Sequence, residues 1–395
     1  MLEKELNELD RRIGQHPIGL DAMHASMELE RVRMHVQVLN RTRKAPINFN
    51  VLQKAEDRYF VASRLKLLCA RMSARNVYHD QDIQLVKEAE RLVKSLKRPE
   101  NVYLREDLYI QGYGRLLEGL LLVDSGEFAL IMQVMPKVLG YLRELGGAEA
   151  GLPKYVMLDI CTGWIGICHR SDQHVGKGGS VFLWEIYSQI FTLDLLSSAI
   201  GTDQLHHLKN YVKLSAELGK YDEAFARLRF YKNALSEAGQ DLFLLLMEAM
   251  IRYYRWNEQQ GDHSKVLFQL EEVIHSRRGT LKQDLFFRLQ AEVFRLRVLY
   301  RLHCEGADVS EEISKAAESL KVQVFRLKGE LSPEFQEGYK NFAQKFLTFL
   351  RNWWEPQEKL SRLGEKIRGV RHCVERPWLL SIIEDRIAEQ SVTNR

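Results

Sequence analysis

At 395 residues, with 45% hydrophobic side chains, the chain carries enough apolar material to bury a sizeable core, which excludes a disordered protein. A net charge of +4, from 57 basic and 53 acidic residues, is too small by itself to imply a nucleic-acid or membrane partner. The charge is unevenly spread, with a basic excess over 1–98 and 271–395 and an acidic excess over 99–270. Cys69, Cys161, Cys168, Cys304 and Cys373 are odd in number, form no CxxC pair and sit in apolar helical sequence. They read as reduced core residues, not as a disulfide framework.

In chain order, MLEKELNELDRRIG at the start has charges every few residues and no apolar run of the kind a signal peptide needs. The most apolar stretches, 155–168 and 241–250, fall short of the roughly 20 residues that span a bilayer. A cytoplasmic protein with no membrane partner is expected. Residues 1–45 read as two N-terminal capping helices, the second ending in a basic cluster before Ala45-Pro46. From 46 to 331 apolar residues recur at spacings of three and four, strand signals are nearly absent, and no proline falls between Pro153 and Pro333. Pro136 sits inside helical sequence and is expected to kink or interrupt it.

LGKYDEAFARLRFYKNAL, at 218–235, shows how the body is organised. Leu205, Leu208, Tyr211, Val212, Ser215 and Leu218 form one helical stripe, Gly219 breaks it, and Tyr221, Ala224, Phe225, Leu228, Tyr231 and Leu235 form the next. Turn signals of this kind recur near Asp80, Gly126, Asp172, Gly219, Gly261 and Gly306, at separations of 42–47 residues. Glycine or a small polar cluster suits a tight turn because it accepts a positive φ and can cap the following helix. The spacing predicts an all-α fold: an α-solenoid of about six antiparallel helical hairpins with a period of roughly 45 residues. An irregular helical bundle is the competing architecture. Residues 332–395 supply the closing helices, over 332–354 and 357–390, with Pro333 at a helix start and Pro356 after Trp353-Trp354 marking a break.

Gly219, Tyr221, Ala224 and Leu228 fall where a tetratricopeptide motif places its turn glycine, aromatic, small and large residues, and Gly126, Phe128, Ile131 and Met135 follow it more loosely. The chain resembles a distant tetratricopeptide-like helical repeat. It departs from the motif at Leu208, Tyr211, Val212 and Ser236, and in its longer period. RYFVASRLKLLCARMSARNVY (58–78) and RPWLLSIIED near the C-terminus are similar to segments of large, uncharacterised all-helical proteins of Bacteroidetes, a resemblance that implies a fold and no activity.

Chemistry is sparse. GKGGS (176–180) offers Lys177 and Ser180 at a helix start, where backbone N–H groups could hold an anion. It lacks the P-loop spacing and a preceding strand, and reads more simply as an inter-helix loop with Ser180 as N-cap. Cys168, His169, Asp172 and His174 cluster without a zinc spacing, and His206-His207 point about 100° apart on a helix, as a surface or interface pair would. No GxSxG or HExxH motif occurs, so no catalytic, cofactor or metal residues are assigned.

The function expected is a non-enzymatic scaffold or adaptor that binds a protein partner through an extended helical groove. Lys209, Lys213 and Arg255 lie on first helices of hairpins, where solenoids line a concave face, and would meet an acidic peptide. Trp353 and Trp354 are adjacent, so both cannot face inward, and one is expected to be exposed as an anchor for a partner or a second copy. Two alternatives stand beside this. One is RNA or DNA binding through Arg64, Arg71 and Arg75, which share a helix face, and through Arg288 and Arg295. The other is an enzyme or ligand-binding protein using the 169–180 loop.

Overall fold

The structure is a computed structural model that describes residues 2–14, 19–39, 49–78, 82–147, 152–175, 178–196, 202–237, 240–259, 263–276, 282–327 and 331–393. The described residues form eighteen α-helices and one short 3-10 turn, with no strand among them, so the protein is all-α. None of these helices is long and apolar enough to cross a membrane. The chain divides into two compact units, Met1–Leu214 and Ser215–Arg395. Within each, helices pack mainly on neighbours close in the chain, as in a helical solenoid.

The first unit contains α1 (Leu2–Gly14), α2 (Leu20–Leu39), α3 (Phe49–Tyr78), α4 (Ile83–Leu96), α5 (Val102–Arg105), α6 (Leu108–Asp124), α7 (Phe128–Gly147), α8 (Lys154–Val175), α9 (Gly178–Thr192) and most of α10 (Thr202–Glu217). Its centre is α6, which packs on α3, α7 and α8. Asp107 starts α6 by accepting from the backbone N–H groups of Tyr109 and Ile110, and Arg58 of α3 donates to the same carboxylate. Glycine lets α6 and α8 come close. A Cβ at Gly112 would lie 2.6 Å from Ile160, one at Gly119 2.7 Å from Trp164, and one at Gly163 2.7 Å from Leu116. The two helices therefore fill each other's missing side chains.

The second unit contains α11 (Tyr221–Glu237), α12 (Asp241–Gln259), α13 (His263–His275), α14 (Lys282–Cys304), α15 (Ser310–Arg326), α16 (Pro333–Arg351), α17 (Gln357–Arg368) and α18 (Arg376–Thr393). From α11 to α16 each helix packs on the next, and α18 packs on α16 and α17. Ser332 caps α16 with Pro333 at its first position. The helix then buries Tyr339, Phe342, Phe346 and Phe349 at helical spacing, against Tyr300 of α14 and Trp378 of α18.

Gly126, Gly219 and Gly306 take φ of 76°, 73° and 93° at the α6–α7, α10–α11 and α14–α15 turns. All three turns close identically: the glycine N–H donates three residues back, and the next N–H donates five residues back, to Leu122, Ser215 and Leu302. This double bond satisfies the last carbonyls of the helix and demands the left-handed backbone that glycine adopts freely. Asp172, expected at a turn, lies instead inside α8, which runs on to Val175. The signals at Asp80 and Gly261 lie outside the described residues. Pro136 does not interrupt α7, because it sits on the exposed side where water can satisfy the carbonyl it leaves without a donor. The closing stretch 357–390 is two helices, parted at 369–375. Val374 N–H donates to Gly338 O and Asn341 Nδ2 to His372 O, pinning this break against α16.

Candidate partner-binding site

The cations expected to meet a partner fall in different units. Lys209 and Lys213 are half-buried on α10 in the first unit, whereas Arg255 is exposed on α12 in the second. The cleft that does form lies between α11 and α12, one helix further on. It has a volume of 380 Å³ and is lined by Asp222, Phe225, Leu228, Arg229, Lys232, Leu244, Glu248 and Arg252.

Helical spacing assembles this cleft. Phe225, Leu228, Arg229 and Lys232 recur on one flank of α11, and Leu244, Glu248 and Arg252 are spaced four apart on α12. Leu228 and Leu244 are buried and form the floor with half-buried Phe225. The Arg252 guanidinium lies 5.4 Å from the Phe225 ring centre and 3.8 Å from Glu248, and its Nε is buried without a hydrogen-bond partner. Gln269 also donates to Glu248, at 3.2 Å. Arg229 and Lys232 are exposed on the rim and form no ion pair among the described residues. The result is an apolar floor with Arg229 and Lys232 on its rim, three cations in all against the carboxylates of Asp222 and Glu248.

Of the arginines considered for nucleic acid, Arg64, Arg71, Arg75 and Arg295 lie within ion-pair distance of carboxylates. Arg64 pairs with Glu88, Arg71 with Asp82 at 3.0 Å, and Arg75 with Asp124 at 2.9 Å. Arg288 donates to Ser276 O at 2.6 Å, and Arg295 lies 3.7 Å from Glu271 and 3.6 Å from Glu292. A guanidinium held by a carboxylate offers a phosphate backbone less net field than a free one.

In the 169–180 region, Ser180 is half-buried in the first turn of α9, and Lys177 lies outside the described residues. Cys168 is buried against Met135, 3.9 Å away, and His169 is exposed, so the two do not converge. The side chains of Asp172 and His174 also lie outside the described residues. Among the described residues no group of three or more His, Cys, Asp and Glu side chains is placed to hold a metal. His206-His207, expected as a surface or interface pair, are split: His206 is exposed and His207 is buried with its ring 5.8 Å from Tyr187. Burial pushes the Cys161 thiol up to about 12 and also raises Cys69, Cys304 and Cys373, which disfavours the thiolate a nucleophile needs.

Trp353 and Trp354 occupy the turn after α16, not the helix itself. Trp353 is half-buried against Phe349 and Tyr300, at ring distances of 5.5 and 5.9 Å, while Trp354 is 83% exposed. No family model, curated protein or solved structure matches the chain.

Proposed function

We propose that the protein is a non-enzymatic interaction protein, a scaffold or adaptor that binds an acidic and apolar segment of a partner protein in the α11–α12 cleft. The observation that carries this reading is the pair Arg229 and Lys232, cations with no ion pair above the floor of Phe225, Leu228 and Leu244. A carboxylate arriving there gains two charges without first breaking an internal salt bridge, and an apolar side chain beside it leaves water. The distant tetratricopeptide-like pattern at Gly219, Tyr221, Ala224 and Leu228 supports the same role, since it lies on the helix that forms one wall. A cytoplasmic site of action accompanies the proposal, in keeping with reduced cysteines.

The test is affinity purification of tagged protein from native lysate, with and without nuclease, comparing wild type with R229E/K232E. Stoichiometric partners that survive nuclease and are lost from the variant are expected. Partners lost with nuclease, or retained by the variant, would overturn the proposal.

A further inference from the structure

At the far end of the second unit, the turn between α16 and α17 holds an aromatic surface of a different kind. Asn352 ends α16, with its backbone N–H donating to Thr348 O and Phe349 O, and Pro356 opens α17. Between them Trp353 turns inward and Trp354 outward, the most exposed large hydrophobic side chain among the described residues. The turn is tied down. Arg386 donates to Trp353 O at 3.3 Å, Gln390 to Glu355 O at 3.1 Å, and the Glu355 N–H to Asn352 O at 3.0 Å. An indole held in water on a braced turn forgoes the free energy its burial would release, and such rigid exposed aromatics are what binding hot spots are made of.

Beside the ring is a cleft of 470 Å³ whose lining includes Trp354, Glu355, Gln357, Glu358, Arg386 and Gln390. Its charges are not balanced. Arg386 is engaged internally: its guanidinium lies 4.4 Å from the Trp353 ring centre and 5.6 Å from that of Trp354, leaving the rest of the 83% exposed Trp354 ring to solvent, and it pairs with Glu389 at 2.9 Å. Glu355 is matched by Lys359, also at 2.9 Å. Glu358 and Asp385 form no ion pair among the described residues, which leaves carboxylates in excess. Burial, and then crowding by Glu389 and Glu384, holds the nearby Asp385 carboxyl above its ordinary range.

We infer that this shelf is a second binding site, which takes an arginine-bearing peptide segment with one guanidinium over the open face of Trp354 and paired with Glu358. Cation–π attraction is strongest to indole, and a planar guanidinium can stack and hydrogen-bond to a carboxylate at once. The surface is independent of the α11–α12 cleft and opposite to it in charge.

The experiment is fluorescence anisotropy of a labelled peptide of four Gly-Arg repeats titrated with the full-length protein, against a Gly-Glu peptide as control. Saturable binding of the arginine peptide is expected. Trp354→Ala should weaken it roughly three- to fivefold, Trp354→Phe less, and Glu358→Gln roughly two- to threefold. R229E/K232E should leave it unchanged, which separates this inference from the proposed function. Circular dichroism checks that each variant keeps its helices, which exposed positions make the expected result. Equal binding of the glutamate peptide, or arginine binding indifferent to both Trp354→Ala and Glu358→Gln, would overturn the inference. So would sedimentation showing a dimer that Trp354→Ala dissolves, because a second copy would then cover the ring.

Discussion

The α6–α8 contact of the first unit and the α14–α16–α18 contact of the second solve one problem in opposite ways. In the first, Gly112, Gly119 and Gly163 remove side chains so that Ile160, Trp164 and Leu116 can press close to the opposing backbone. In the second, Tyr300, Phe342, Phe346, Phe349 and Trp378 hold the helices together through aromatic volume. The difference teaches that the two cores fail differently: one is broken by adding a methyl group, the other by removing a ring.

The largest effect is expected in the aromatic core. Phe346→Ala removes a fully buried ring that touches Tyr300, Phe342 and Trp378, and should cost about 3–5 kcal/mol in urea unfolding. A cost no greater than that of the glycine variant below would erase the contrast. Next comes Arg297, 5% exposed, which pairs with Glu375 at 3.0 Å. Its guanidinium also lies 4.8–5.5 Å from the ring centres of Phe294, Tyr253, Trp378 and Tyr254. Arg297→Ala removes a buried ion-pair partner of Glu375, whose φ of 49° is already strained, and should cost about 3 kcal/mol by the same measurement.

In the glycine-packed core, Gly119→Ala places a methyl 2.7 Å from the Trp164 ring. It should cost about 1–2 kcal/mol despite alanine's better helix propensity, and Trp164→Leu should relieve part of that. The smallest effect sharpens the comparison through a buried charge. Burial raises the pKa of Glu292, which is 1% exposed and accepts from Gln323 at 2.9 Å. A carboxyl that holds its proton more tightly when folded contributes stability fully below its unfolded pKa and loses that contribution as pH rises through the folded value. Urea midpoints from pH 4 to 8 should therefore fall more with rising pH in wild type than in Glu292→Gln.

How far the sequence disclosed these features depended on whether the signal was local. Gly126, Gly219 and Gly306 were legible because a single residue type answers the need for a positive φ. The polar cluster at Asp172 was ambiguous, since Asp and His also decorate an exposed helix face, and there it is helix. The expectation that one of Trp353 and Trp354 is exposed rested on their adjacency on a helix, whereas the split arises in the turn after α16. The pairing of Arg75 was not legible, because Asp124 comes from another helix, 49 residues away. The α11–α12 cleft was missed because first helices were assumed to line the groove. The available signal was the run of Phe225, Arg229 and Lys232 at spacings of four and three on α11.

The left-handed glycine turns bear on how this protein can be handled. At Gly126 and Gly306 an added Cβ would meet nothing within 4 Å, so the loop tips stand clear of any packed neighbour. Lengthening such a tip adds closure entropy that grows only with the logarithm of its length. An epitope, a fluorophore site or a protease sequence can be spliced in there while the helices on either side keep their contacts. The tight bends that punctuate the chain thus double as ports through which it can be tagged or cut.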